Sequence, residues 1–329
     1  MKVIVTGGAG FIGSHLVDTL INNRRIKKII ILDHLNDGSK RNLKESLKNK
    51  KVRLIRENIC NLNRIIKYFK GVKVVYHLAA IADIVPSINN PLEYINNNFN
   101  GTINVLEAMK IHKAKRIIFA ASASCYGMPK KIPTKEIEKI ETHYPYSFSK
   151  YIAEQAVIHW SKVYKLEYIS LRLFNVYGLR SRTTGAYGAV MGVFLKQKLT
   201  NKPFTIVGNG KQTRDFINVK DVAKAFEKAS FTNKKNKIYN VGTGKPKSVN
   251  YLAKLLGGKS IKVPKRPGEP DISQADISKI KKDLKWYPSI SFENGVKELL
   301  KNINFWKNAP LWDKTKIKKA TSVWFKYLN

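Results

Sequence analysis

The chain has 329 residues and is 43% apolar, enough for one large α/β domain with a smaller lobe and an ordinary buried core. It opens without a charged segment leading into an apolar one, and no stretch reaches roughly 18 apolar residues, so the sequence predicts neither a secretory leader nor a membrane span and points to the cytoplasm. Sixty-one Lys+Arg face 23 Asp+Glu, a formal net charge of +38, yet the lysines are scattered among Asn and Ile, with no compact Arg/aromatic module, so no specific nucleic-acid partner is expected.

Val3–Thr6 reads as a first strand and 11–23 as the helix after it. Further strands are expected at 28–33, 52–57, 73–79, 116–122 and 167–173, with helices near 61–69, 93–112 and 147–165. Alternation of this kind predicts a Rossmann-type doubly wound parallel sheet with helices on both faces. From about Tyr177 the pattern loosens into Gly- and Thr-rich segments and short helices, and 238–241 reads as a strand able to rejoin the main sheet. The expected organisation is a dinucleotide-binding domain at 1–176 with a returning segment near 215–245. A discontinuous mixed α/β substrate lobe follows at 177–305, then a basic amphipathic tail at 306–329. Cys60 and Cys125 have neither metal nor redox spacing and fit small core residues in a reducing compartment.

The first strand runs into Gly7-Gly8-Ala9-Gly10-Phe11-Ile12-Gly13, with Gly7, Gly10 and Gly13 three apart. Glycine permits the tight turn, backbone N–H groups approach a pyrophosphate, and the following helix presents its positive dipole end. The position between a strand and a helix is the context this motif requires. Asp33 ends the second strand, where a carboxylate accepts from adenine-ribose hydroxyls and repels a 2′-phosphate, which favours NAD over NADP. Asp37-Gly38-Ser39 forms a turn within reach of the adenosine.

Tyr146 and Lys150 stand four apart in Tyr146-Ser147-Phe148-Ser149-Lys150 and so share one helix face. An ammonium beside a phenol favours the phenolate and is expected to lower its pKa from about 10. Such a phenol acts as general base on a sugar hydroxyl while a cofactor takes the carbon-bound hydride.

With these motifs the sequence resembles the extended short-chain dehydrogenase/reductase family, specifically its nucleotide-sugar epimerases. The resemblance runs to about residue 300. It is carried by Thr6–Gly13, His77-Leu78-Ala79-Ala80, Asn98-Phe99-Asn100-Gly101-Thr102, 122–127, 146–150, Leu171-Arg172-Leu173-Phe174-Asn175-Val176-Tyr177-Gly178, 210–222 and Arg266-Pro267-Gly268-Glu269-Pro270. It implies a catalytic set of Ser122, Tyr146 and Lys150. It implies NAD held by Gly7, Gly10, Phe11, Ile12, Gly13, Asp33, His34, Asp37, Gly38, Ser39, Asn58, Ile59, Leu78, Ala79, Ala80, Asn98 and Ala120 besides Tyr146 and Lys150, with Ala79 and Ala80 ending the fourth strand. Asn58 departs from the family's usual Asp there. A UDP-sugar is implied to meet Ser122, Ser124, Tyr146, Asn175, Ala189, Val190, Arg214, Arg266, Glu269 and Ser273, and a homodimer built on a helix pair is implied as well.

Dehydratases of this kind carry Asp-Glu after the catalytic Ser/Thr; here Ala123 and Ser124 stand there, which argues against elimination, and decarboxylation lacks its acid/base for the same reason. C4 epimerisation of a UDP-hexose through a transient 4-keto sugar remains. Ser273 falls at the family's gatekeeper position, where a small residue leaves room for an N-acetyl group. A UDP-uronate 4-epimerase, another nucleotide-sugar epimerase, and an NAD-binding nucleic-acid or scaffold protein stay open, the last disfavoured by the intact Ser–Tyr–Lys set. In the tail, Ile317, Ala320, Trp324, Phe325 and Leu328 fall at helical spacing among lysines. This stripe fits packing on the protein or a partner subunit, and also weak peripheral contact with an anionic membrane.

Overall fold

The computed structural model describes residues 1–181 and 190–328. Its first half alternates strand and helix: β1 (Lys2–Thr6), α1 (Phe11–Ile21), β2 (Lys28–Asp33), β3 (Val52–Arg56), α2 (Leu62–Ile65), β4 (Val72–His77), α3 (Ile84–Asn89), α4 (Pro91–Tyr94), α5 (Gly101–Ile111), β5 (Arg116–Ser122), α6 (Pro145–Tyr164) and β6 (Glu167–Leu173). The second half is finer-grained: β7 (Asn175–Tyr177), α7 (Val190–Leu199), β8 (Phe204–Val207), β9 (Thr213–Arg214), β10 (Phe216–Asn218), α8 (Val219–Phe231), β11 (Lys237–Val241), β12 (Lys247–Ser248), α9 (Val249–Leu256), β13 (Ser260–Val263), α10 (Ser278–Leu284), α11 (Phe292–Lys301) and α12 (Lys314–Tyr327).

Seven strands form one parallel sheet in the order β11-β6-β5-β4-β1-β2-β3. The period-two side-chain alternation of a strand sorts β1 cleanly: Val3 and Val5 enter the core shared with α1 and α8, and Ile4 enters the one shared with α5 and α6. The chain winds outward from β1 in both directions, so a crevice opens between the carboxyl ends of β1 and β4, the switch point where such sheets bind ligands. A third apolar cluster, with Phe194, Phe204, Phe216, Leu252, Phe292, Val296 and Trp306, gathers elements that follow β6.

Two elements end differently from the sequence expectation. β4 stops at His77, short of Ala79 and Ala80: Leu78 N still donates to Thr6 O, but Ala79 N turns to the Thr6 hydroxyl at 3.2 Å. The helix expected over 93–112 is broken by a wide turn at Ile95–Asn100, which turns the Asn98 side chain inward. The tail forms α12, whose apolar side is spent on the protein itself: Ile317, Thr321 and Trp324 are buried, and Lys314, Lys316, Lys318, Lys319 and Lys326 face outward. Among the described residues no helix is long and apolar enough to cross a membrane.

Candidate active site

The glycine turn is built from backbone geometry. Gly7 has φ +68°, and a Cβ there would lie 2.7 Å from Ala79 N; a Cβ on Gly13 would lie 2.2 Å from Gly7 O. Gly10 heads α1 without a side-chain cap, and no acidic residue stands in the first turn, so the helix's free N–H groups and positive end face the crevice unneutralised. The Asp33 carboxylate is buried and accepts from Ala9 N (2.9 Å) and Leu35 N (2.8 Å), one bond on each oxygen. It thereby pins the turn, and each oxygen keeps acceptor capacity for ribose hydroxyls.

The crevice is lined by Gly7, Gly10, Phe11, Ile12, Gly13, Asp33, His34, Asp37, Gly38, Ile59, Leu78, Ala79, Ala80 and Ala120. Leu32, Glu57, Ile81, Ala82, Asp83 and Asn97 also line it, and sequence reasoning did not single them out. Three further expected cofactor contacts bond to the protein's own backbone or side chains. Ser39 caps the next turn by accepting from Arg41 N, and Asn58 accepts from Cys60 N. Asn98 clamps Ile81 through both ends of its amide (2.8 and 3.0 Å) and donates to Ser149 Oγ (2.9 Å). The glycine cradle, the uncapped helix end and the carboxylate at the second strand together suit a dinucleotide with free ribose hydroxyls.

Ser122 ends β5. Its hydroxyl lies 2.8 Å from Ser124 Oγ and within hydrogen-bonding reach of the Tyr146 phenol. Tyr146 sits in the first turn of α6, which Pro145 and a reciprocal Tyr144–Ser147 cap start at that point. Tyr94 meets the Tyr146 ring edge-on at 6.4 Å. Lys150 is buried one turn on, its ammonium 4.5 Å from the centroid of the Phe119 ring. In the protein alone burial raises the Tyr146 pKa, with the Ser122 hydrogen bond opposing it and Asp83 adding to it. The expected depression by Lys150 is therefore corrected: desolvation dominates, and it also lowers Lys150 to about 8 against the opposing charge of Glu154. Beneath the site, burial brings His77 down to about 3; its ring bridges Thr6 Oγ1 (2.6 Å) and Thr102 Oγ1 (2.9 Å).

The elements after β6 add a charged cluster. Arg214 donates to Pro270 O (2.8 Å) and lies 3.7 Å from Glu269, which pairs with Arg266 at 2.9 Å. Tyr144 lies between this cluster and the catalytic set: its ring is 5.8 Å from Trp324, and burial raises its pKa, with Tyr146 and Glu269 adding and Arg214 opposing. Buried Asp215 fixes the geometry by accepting from Thr243 N, Gly244 N and Ala275 N. Ser273 hangs from Thr213 O beside Arg214, half-buried. Asn175 opens β7 against Phe216, and Val190 starts α7. Ala189 lies outside the described residues. Neither Tyr144 nor Asp215 was singled out by the sequence, although Asp215 follows Arg214 inside the 210–222 segment and Tyr144 stands two residues before Tyr146.

A parallel sheet with a glycine cradle at its switch point, and Ser122, Tyr146 and Lys150 on the neighbouring β5 and α6, fit an NAD-dependent α/β enzyme of the Rossmann kind. Comparison with known proteins narrows this. Residues 3–242 match the NAD dependent epimerase/dehydratase family, and the chain belongs to that family. A relative from Methanocaldococcus jannaschii, named a putative UDP-glucose 4-epimerase, is 40% identical over 93% of this chain and 98% of its own. A UDP-N-acetylglucosamine 4-epimerase from Methanobrevibacter ruminantium, solved with UDP-N-acetylmuramic acid, has a TM-score of 0.86 at 33% identity, covering 93% of this chain and 98% of that one. A UDP-glucuronic acid 4-epimerase from Bacillus cereus, solved with its sugar nucleotide and NAD, has a TM-score of 0.84 at 30% identity over 94% and 99%. Relatives named as 4-epimerases are isomerases.

Proposed function

We propose that this protein interconverts the C4 epimers of a UDP-hexose, glucose and galactose, and also of the N-acetylated pair. One observation carries the reading. The Ser122–Tyr146 pair and the Arg214–Arg266–Glu269 cluster meet around Tyr144, whose ring lies 5.8 Å from Trp324, itself 5.3 Å from the Arg266 guanidinium, so a sugar ring at the phenol has its diphosphate end beside two guanidinium groups. Guanidinium forks suit diphosphate oxygens, and a carboxylate suits ribose hydroxyls.

Tyr146 takes the proton of the sugar's C4 hydroxyl and later returns it, with the Ser122 hydroxyl holding the phenol in line. NAD, when bound, supplies the hydride acceptor and donor and a positively charged ring beside the phenol. Lys150 adds its ammonium one turn below, and His77, neutral and bonded on both sides, keeps the carboxyl ends of β1 and β4 together. Ala123 and Ser124 offer no strong acid or base next to Ser122, so nothing competes by eliminating water. The small Ser273 leaves room for the keto sugar to rotate and for an acetamido group at C2.

The dimer expectation is supported by exposed apolar residues on the α5–α6 side: Ile111, Phe148, Val163 and Tyr164 are each more than 40% exposed. We assign this face to a second copy, to be checked by light scattering. The activity test is incubation of the purified protein with UDP-glucose, UDP-galactose, UDP-N-acetylglucosamine and UDP-glucuronate, with separation of C4 epimers. Turnover of the first three supports the reading. Turnover of the uronate alone reassigns the substrate, and no turnover by NAD-loaded protein ends the proposal.

A further inference from the structure

The end of the chain reaches back over the site. Trp324 on α12 is 1% exposed and donates from its indole N–H to Pro267 O at 2.8 Å. The Arg266 guanidinium carbon lies 5.3 Å from the centre of the Trp324 ring, and the Tyr144 ring lies 5.8 Å from it. One side chain thus touches both the loop that carries Arg266 and the residue that heads the catalytic helix. That loop turns at Gly268 (φ +70°); the Arg266–Glu269 pair and the Arg214 bond to Pro270 O tie it together beyond the turn, and Trp324 is what ties its Arg266–Pro267 start to the C-terminal helix. An arginine on such a loop loses affinity to rotamer and loop entropy unless something holds it. The indole lies over the guanidinium from one side while Glu269 pairs with it at 2.9 Å, so the group is held from two directions.

We propose that Trp324 is a positioning residue for substrate binding, holding Arg266 and its loop ready for the nucleotide diphosphate, so that the C-terminal helix is a built part of the site rather than an appendage. This rests on the reading of Arg266 as a diphosphate contact. Trp324 touches no reacting atom, so its loss acts on affinity and leaves the chemical step intact.

The experiment is calorimetric titration of UDP into wild-type, Trp324→Ala, Trp324→Phe, Arg266→Ala and the Trp324→Phe/Arg266→Ala double variant, with NAD content, melting temperature and steady-state kinetics on each. Trp324→Ala is expected to weaken UDP binding and raise KM about tenfold, in line with a desolvated cation–π contact, while kcat stays within about twofold. Trp324→Phe keeps a ring but loses the bond to Pro267, and about threefold is expected. In the Arg266→Ala background the Phe substitution should have no further effect. Folded Trp324 variants that bind UDP as wild-type does, a loss confined to kcat, or additive effects in the double variant would overturn the proposal. If Trp324→Ala does not fold, the Phe cycle decides alone. Wild-type protein that fails to bind UDP sinks the substrate reading and takes this inference with it, whereas normal wild-type binding with indifferent Trp324 variants sinks only the inference.

Discussion

Glu154 offers the sharpest test of how the buried charges serve the site. It lies one helical turn beyond Lys150 on α6 and is 1% exposed. It accepts from Arg172 Nη2 at 2.7 Å, from Arg172 Nε at 3.2 and 3.3 Å, and from Ser170 Oγ at 2.5 Å. Burial lowers Lys150 to about 8, and Glu154 is the charge that opposes it. At that value about nine-tenths of Lys150 is protonated at pH 7. Glu154→Gln keeps the shape and removes the charge. Arg172 is then left buried without its counter-charge, at a cost of about 3–5 kcal/mol. Lys150 should fall below about 8, so the alkaline limb of the kcat profile, where the ammonium is lost, should move to lower pH. The stability linkage has the matching sign. Between about 8 and 10.5 the unfolded chain binds the proton that folded Lys150 has shed, so this group's contribution to stability rises with pH across that window, and the window widens downward in the variant. The assays are epimerisation rate against pH below the variant's melting temperature, and thermal unfolding. A lower melting temperature with an unmoved or upward-shifted alkaline limb would refute the electrostatic link and leave Glu154 a purely structural partner of Arg172.

Tyr146→Phe should lower kcat by about 10²–10⁴-fold with NAD content unchanged, read by epimer separation; a loss below tenfold would remove the phenol from its role. Gly13→Ala puts a methyl 2.2 Å from Gly7 O, so the turn must open, and NAD should be lost on gel filtration at a stability cost of about 1–3 kcal/mol. Ser273→Tyr should abolish turnover of the N-acetylated sugars and spare UDP-glucose; full activity on the acetylated pair would refute the assigned space.

Local pattern carried the nucleotide half of the molecule. A glycine every third residue between a strand and a helix has few structural meanings, and the runs at 28–33, 116–122 and 167–173 became strands with those bounds because their residues, mostly apolar, are buried on both faces. What stayed hidden depends on distant contacts. Past the end of β4, Ala79 N turns to a hydroxyl 73 residues upstream, and Asn98 serves as a clamp only because a wide turn points it at Ile81. The direction of the Tyr146 shift was misjudged because sequence shows a neighbouring cation and not the depth of burial. Tyr144 and Trp324 became visible only once folding brought residues 144, 266 and 324 together.

The last strand of the main sheet, β11, joins β6 from 64 positions beyond the end of β6, after the chain has made most of a separate lobe. A ribosome that has synthesised only as far as Val176 has made six of the seven strands, and β6 has a naked edge. The same fragment lacks α8, so α1 has nothing to cover its outer side. Completion waits for Val241 to emerge, and a cut between the lobes would yield a sticky half-molecule in place of two autonomous pieces.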